Sequence, residues 1–174
     1  MAQGAYYYDA VLWAVNRDVT NGVDKTHFAP NGSATRAQTV TFLWRAKGCP
    51  EPETRTNPFQ DVSPDAYYYK AVLWANEEGI TNGVTRDAFH PNDPCTRAQV
   101  VTFLWRAAGR PESSIENPFR DVREGQYYTD AVLWAAENSI TNGTSANAFS
   151  PAAYCTRGQI VTFLYRALAE RNAN

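Results

Sequence analysis

The stretch Thr35–Ala46 reads TRAQTVTFLWRA, and it occurs twice more in the chain with small changes. The second copy is TRAQVVTFLWRA at Thr96–Ala107, and the third is TRGQIVTFLYRA at Thr156–Ala167. Self-similarity at a fixed period is typical of repeat proteins, in which each repeat is one supersecondary unit. The chain therefore contains three copies of one structural unit.

Each copy of this stretch predicts a helix that begins with a capping box. The threonine hydroxyl can accept a hydrogen bond from the amide three residues later, and the glutamine at that position can accept one from the threonine amide. Apolar residues then occupy two faces of the predicted helix, a pattern typical of the inside of a bundle. We expect Trp44, Trp105 and Tyr165, which lie on this helix, to belong to the core.

Further markers keep the same spacing and complete the repeat. The step from Arg36 to Arg97 is 61 residues, and the step from Arg97 to Arg157 is 60 residues. A periodic apolar segment ahead of Asn82-Gly83 predicts a first helix, and the Asn-Gly pair predicts a helix stop or turn. Each repeat is thus predicted to be helix, turn, loop, helix. The aligned markers are Trp13, Trp74 and Trp134; Asn21, Asn82 and Asn142; Phe28, Phe89 and Phe149; and Pro30, Pro91 and Pro151.

The amount of apolar helix surface predicts one assembly of the three repeats. A single repeat has more of this surface than it can bury alone, whereas three repeats can bury it around a shared core. The linkers between repeats are short, polar and proline-bearing. We therefore predict an all-α helical bundle in one domain, residues 1–174, with repeats at residues 1–50, 57–110 and 117–170.

Composition excludes several classes of function. The net charge of −2 argues against a nucleic-acid binder, which depends on neutralising phosphates. No apolar run is long enough to span a bilayer, and the first ten residues lack the basic start and apolar core of a secretion signal. Three cysteines and two histidines are a poor supply for a zinc site. We expect no metal and no cofactor, and we expect reduced, mostly buried thiols without function.

The sequence also argues against catalysis. His27 and His90 do not occupy equivalent positions in their repeats, and Glu77 and Glu137 have Asn16 as their counterpart in the first repeat. No nucleophile elbow, metal triad or phosphate-binding loop is present. We therefore expect a protein that is not an enzyme.

The ordered signatures resemble the S-layer homology motif. In the second repeat these are FQDV, AYYYKAVLWANEEGITNG and FHPNDPCTRAQ, and the resemblance extends over nearly the whole chain in three copies. It implies three motifs packed with pseudo-threefold symmetry and separated by grooves. It also implies an exported protein, held non-covalently on a bacterial cell surface by secondary cell-wall polysaccharide, often through a pyruvylated sugar.

The resemblance assigns ligand-binding residues copy by copy. Glutamine replaces the glutamate that ends the family's Thr-Arg-Ala-Glu signature, so the site should become more positive. The aspartate of the Phe-x-Asp-Val segment is present ahead of the second and third repeats only, so one groove should be weak. The assigned residues are the arginines Arg36, Arg97 and Arg157; the aspartates Asp61 and Asp121; the aromatics Tyr6, Tyr67 and Tyr127; the turn glycines Gly22, Gly83 and Gly143; and the glutamines Gln38, Gln99 and Gln159.

The arginine at the first turn of a helix is the feature that points to an acidic glycan. Free amides and the helix dipole there should favour an anion, and a guanidinium adds a bidentate partner for a carboxylate. Nearby tyrosines can offer apolar faces to a sugar ring. The structural alternative is that each arginine pairs with an acid such as Asp121 and locks neighbouring repeats together. The functional alternative is a protein-binding scaffold, an adhesin or host-receptor ligand, on the same fold without glycan binding. We expect the 174-residue chain to be monomeric.

Overall fold

The computed structural model describes residues 3–169, and the regular structure of that range consists of six α-helices. Each repeat contributes two helices, so the predicted all-α fold of three repeats is confirmed. None of the helices in this range is both long enough and apolar enough to cross a membrane. The helices are α1 (Tyr8–Asn16), α2 (Arg36–Ala46), α3 (Tyr69–Glu77), α4 (Arg97–Ala107), α5 (Thr129–Glu137) and α6 (Arg157–Leu168).

The second helix of every repeat begins with the predicted capping box. Thr35 accepts a hydrogen bond from the Gln38 amide, and the Gln38 side chain accepts one from the Thr35 amide, both at 3.2 Å. Thr96 with Gln99 and Thr156 with Gln159 repeat the arrangement. Of the two alternatives predicted for Asn82-Gly83, a helix stop or a turn, the helix stop is not formed, because α3 already ends at Glu77. Asn82-Gly83 forms the turn that follows.

Helices of different repeats pack on one another. The first helix of each repeat has its main helix contact in the preceding repeat, since α3 packs on α2 and α5 packs on α4. α1 closes the circle by packing on α6, and the second helices α2, α4 and α6 contact one another at the centre. Leu43, Leu104 and Leu164 are buried there. Trp44, Trp105 and Tyr165 lie at the edge of this core, half-buried against it.

A ring of backbone hydrogen bonds joins the three loops that precede the second helices. The Cys95 amide donates to the Ala34 carbonyl at 2.9 Å, the Cys155 amide donates to the Cys95 carbonyl at 2.9 Å, and the Ala34 amide donates to the Cys155 carbonyl at 3.2 Å. This ring makes the pseudo-threefold relation explicit. Cys95 and Cys155 are buried free thiols, as expected, whereas Cys49 is exposed.

Candidate functional site

The three arginines that open the second helices are buried. Arg36 is 3% exposed, Arg97 is 3% exposed and Arg157 is 4% exposed. Burial lowers the pKa of each guanidinium from its ordinary value. Because that ordinary value lies far above neutral pH, the three side chains remain charged.

Each guanidinium lies against two phenylalanine rings, both supplied by the next repeat around the axis. The Arg36 Cζ atom is 4.8 Å from the centre of the Phe89 ring and 5.6 Å from that of Phe103. Its Nε donates to the Phe89 carbonyl at 2.9 Å. These contacts restrict the orientation of the guanidinium and provide cation–π attraction. Equivalent contacts are made by Arg97 with Phe149 and Phe163, and by Arg157 with Phe28 and Phe42.

Arg36 and Arg157 each line a groove built from all three repeats. The groove at Arg36, which we call groove II, has a cavity of about 300 Å³. The arginine comes from the first repeat, the turn and the second helix come from the second repeat, and the tyrosine comes from the third. The resemblance predicted these residue types, but the sequence order did not indicate that they come from different repeats. Groove II is lined by Arg36, Gly83, Gln99, Phe103, Arg106 and Tyr127.

Groove I repeats the pattern at Arg157, and the repeat alignment predicts an equivalent groove III at Arg97. Groove I has a cavity of about 410 Å³ and is lined by Gly22, Gln38, Phe42, Arg45, Tyr67 and Arg157. In groove III, Arg97 donates to the Thr141 hydroxyl at 3.2 Å and interacts electrostatically with Tyr6. By the repeat alignment, the equivalent residues of groove III are Tyr6, Arg97, Gly143, Gln159, Phe163 and Arg166.

The expectation that free helix-start amides help to bind an anion is wrong. The amides of Arg36 and Ala37 donate to the carbonyls of Asp93 and Pro91, which belong to the second repeat, at 2.9 and 3.0 Å. The next amide, that of Gln38, donates to the Thr35 hydroxyl. Loop carbonyls of a neighbouring repeat occupy the starts of α4 and α6 in the same way. The guanidinium is therefore the group that remains available to an anion.

The structural alternative, an ion pair between each arginine and an acid, is not formed. Among residues 3–169, no carboxylate oxygen lies within 4.0 Å of these guanidinium groups. Asp61 and Asp121 interact electrostatically with Arg36 and Arg97 at longer range. The buried Arg36 Nη2 has no hydrogen-bond partner in the same range. Buried polar groups normally have a partner, so the Arg36 side chain has unmet binding capacity, whereas the Nη2 atoms of Arg97 and Arg157 donate to the hydroxyls of Thr141 and Thr20.

The aspartates of the two Phe-x-Asp-Val segments fix the loop that the arginines contact. The Asp61 carboxylate accepts hydrogen bonds from the Phe89 amide at 2.8 Å and the His90 amide at 2.7 Å. Asp121 binds the Phe149 and Ser150 amides with the same distances. Each aspartate thus positions the backbone beside the carbonyl that holds an arginine. Neither aspartate is among the residues that line grooves I and II.

The turn glycines stand where the backbone requires them. Gly83 has φ of +81°, and a Cβ there would lie 2.5 Å from the Thr85 carbonyl oxygen and 2.6 Å from the Phe59 ring. Gly22 and Gly143 are equally constrained. The left-handed conformation and the close contacts explain why no side chain is tolerated at this edge of the groove.

The glutamines have one end committed to the helix cap. The Gln99 Oε1 accepts from the Thr96 amide at 3.0 Å, which leaves the Nε2 end of the same half-buried side chain at the groove. An amide nitrogen is a hydrogen-bond donor only. Where the family has a carboxylate, this chain thus presents a neutral donor.

A second arginine in grooves I and II was missed as a candidate ligand residue. Arg45 lines groove I, and Arg106 lines groove II. Arg106 lies in the last turn of α4, where the helix dipole favours a cation, and the same twelve-residue stretch carries an arginine there in all three copies. That repetition was the available signal. Two cations in each of these two grooves, together with a tyrosine that is about 60% exposed, suit a polar, anionic ligand.

Comparison with known proteins identifies the repeats. Residues 2–40, 58–101 and 118–161 match the family model of the S-layer homology domain. The chain is 28% identical over 172 residues to the surface-layer 125 kDa protein of Lysinibacillus sphaericus, with 97% of this chain and 14% of that protein covered. It is 27% identical over 172 residues to an amylopullulanase of Thermoanaerobacterium thermosulfurigenes, with 95% and 9% covered.

An endoglucanase of Bacillus sp. (strain KSM-635) is 32% identical over 150 residues, with 82% of this chain and 16% of the enzyme covered. The chain therefore spans about a sixth or less of the length of these relatives. Since the three matched segments extend over most of its own length, the chain belongs to the S-layer homology domain family.

Proposed function

We propose that this chain is a non-catalytic module that anchors a protein on the bacterial cell surface by binding an acidic secondary cell-wall polysaccharide in the grooves between its repeats. The observation that carries the proposal is the set of three buried guanidinium groups. Arg36 and Arg157 line grooves II and I, Arg97 holds the equivalent position by the repeat alignment, and none of the three has a carboxylate oxygen within 4.0 Å among residues 3–169.

The groove chemistry favours a carboxylate-bearing sugar, with a pyruvylated sugar as the specific candidate. A guanidinium can bind a carboxylate through two parallel hydrogen bonds. Burial against two phenylalanine rings removes competing water, which strengthens the attraction to an anion. The exposed tyrosine at the rim can cover one face of the sugar ring.

The relatives support a role as an attached module. A surface-layer protein, an amylopullulanase and an endoglucanase share this segment over a small part of their length. A common segment in proteins with such different names is expected to hold each of them in place rather than to perform their chemistry. The corresponding location is the outer surface of a bacterial cell wall.

Co-sedimentation with purified sacculi of Lysinibacillus sphaericus tests the proposal. The chain should sediment with intact sacculi and remain in solution after hydrofluoric acid has stripped the secondary polymers. Tyr67→Ala and Tyr127→Ala should each weaken sedimentation with little effect on folding, because these side chains are 63% and 58% exposed. Tyr154→Ala is the matched control, since Tyr154 is 61% exposed and lines neither groove I nor groove II.

Two results would count against the proposal. Equal binding to intact and stripped sacculi would exclude the secondary polymers as the ligand. Absence of binding to sacculi of any composition would favour the protein-binding scaffold, the alternative function for the same fold.

A further inference from the structure

A second depression lies next to groove II, between the first and second repeats. It has a volume of about 440 Å³, and the charged residues on its wall are three cations and one acid. A volume of this size is within the range of small-ligand sites. We call it the basic depression and define it by Lys47, Trp74, Glu78, Arg106 and Arg110.

The basic depression and groove II share one side chain. Arg106 lines both of them, so the two sites meet at its guanidinium. The Arg106 Nη1 donates to the Ile80 carbonyl at 3.0 Å, which holds the group in place and leaves its other nitrogens for ligands. Burial, and then the charge of Arg110, lower the pKa of Arg106. The two cations are therefore close enough to repel each other, and an anion between them would relieve that repulsion.

The other cations of the depression are available to a ligand. The Arg110 Nη2 donates to the Gly79 carbonyl at 3.1 Å, which anchors one end of the guanidinium. Lys47 is exposed and takes part in none of the ion pairs found among residues 3–169. Glu78 is exposed and likewise forms no ion pair in that range. Three positive charges against one negative charge leave the depression electropositive.

The sequence places this cluster at one repeat junction. At the junction of the second and third repeats, Ala108 and Asn138 replace Lys47 and Glu78. The counterpart of Arg110 in the first repeat is Cys49. The basic depression is therefore a feature added to groove II rather than a consequence of the repeat.

We propose that the basic depression is a second subsite of groove II, and that it binds an anionic group on the sugar residue adjacent to the one held by Arg36. The inference rests on the proposed glycan binding and extends it from one sugar to a longer stretch of the same chain. Continuity through Arg106 and the excess of positive charge carry the assignment. Groove II then binds a longer stretch of the polymer than grooves I and III do.

Calorimetry with two probes separates this subsite from the main one. The first probe is the polysaccharide released from Lysinibacillus sphaericus sacculi by hydrofluoric acid, and the second is the methyl glycoside of a 4,6-O-pyruvylated N-acetylhexosamine. The double variant Lys47→Ala/Arg110→Ala should bind the polysaccharide about tenfold or more weakly at one site, with unchanged affinity for the monosaccharide. The control double variant Arg55→Ala/Arg123→Ala removes the same charge from exposed positions outside both sites and should match the parent protein.

The outcomes distinguish the two proposals. A parent protein that binds neither probe would overturn the proposed function and the subsite together. If the parent binds the polysaccharide and the Lys47→Ala/Arg110→Ala variant binds it as tightly, the subsite is refuted while glycan binding stands. An equal loss for both probes would also refute the subsite, because a general effect of charge would then explain the result.

Discussion

Replacement of Gly83 by alanine should destabilise the protein strongly, because the new Cβ has no room. Gly83 lies in the left-handed region with φ of +81°. An added Cβ would lie 2.5 Å from the Thr85 carbonyl oxygen, 2.6 Å from the Ala88 carbonyl oxygen and 2.6 Å from the Phe59 Cε1 atom. Two of these atoms are backbone atoms, so they cannot move aside without shifting the turn that forms the edge of groove II.

The magnitude follows from three contributions. A left-handed conformation costs an alanine about 1–2 kcal/mol, which is partly offset by about 0.4–1 kcal/mol because alanine restricts the unfolded chain. Forcing a methyl group into a filled space adds about 1–3 kcal/mol. Gly83→Ala should therefore lower the free energy of unfolding by about 3 kcal/mol. For a chain of this size that corresponds to a fall in Tm of about 6–12 °C.

Gly125→Ala is the control that isolates the steric contribution. Gly125 has φ of +74°, close to that of Gly83, but no atom lies within 4 Å of a Cβ built there. This variant should lose about 1 kcal/mol or less from the conformation alone. Urea unfolding and thermal melts followed by circular dichroism would measure both variants. Equal destabilisation of the two would show that the close contacts at Gly83 do not determine its identity.

Three further predictions concern the assembly, the thiols and the grooves. A chain that ends after Glu53 should be unfolded by circular dichroism, because α1 packs on α6 and α2 on α3; a folded monomer would contradict the single-domain prediction. A thiol reagent at neutral pH should label Cys49 quickly. It should label Cys95 and Cys155 only in denaturant, because burial raises the pKa values of these two thiols to about 11 and about 12. The folded thiols then hold their protons more tightly than the unfolded thiols, so stability measured in urea should fall as pH rises above about 9. Calorimetry with the released polysaccharide should show fewer than three equivalent sites. The groove at Arg157 should bind most weakly, because no carboxylate among residues 3–169 accepts a hydrogen bond from the Phe28 amide. Three equal sites would refute this prediction.

Local features of the fold could be predicted from the sequence because they depend on residues a few positions apart. The capping boxes at Thr35, Thr96 and Thr156 need a threonine and a glutamine at fixed spacing, and the structure forms all three. The repeat period also aligned the arginines, tyrosines and turn glycines correctly. The residue types found around each groove were therefore available from the sequence.

The contacts between different repeats could not be predicted, because helical periodicity shows which face of a helix is buried but not which element covers it. The resemblance assigned the ligand-binding residues copy by copy, whereas the structure places Arg36 with Gly83 of the second repeat and Tyr127 of the third. The occupied amides at the helix starts have the same origin, since the loop carbonyl that binds the Arg36 amide belongs to Asp93. Such contacts depend on the closure of the chain onto itself.

The most direct test of glycan binding by the buried arginines is a comparison of two triple variants on intact sacculi. The variant Arg36→Gln/Arg97→Gln/Arg157→Gln removes the charges while keeping a donor for the phenylalanine carbonyls. The control Arg17→Gln/Arg55→Gln/Arg123→Gln removes the same total charge from exposed positions. With both proteins shown to be folded by circular dichroism, we predict that the first loses co-sedimentation with the sacculi and the second retains it. Full retention by the first variant would contradict glycan binding by these arginines.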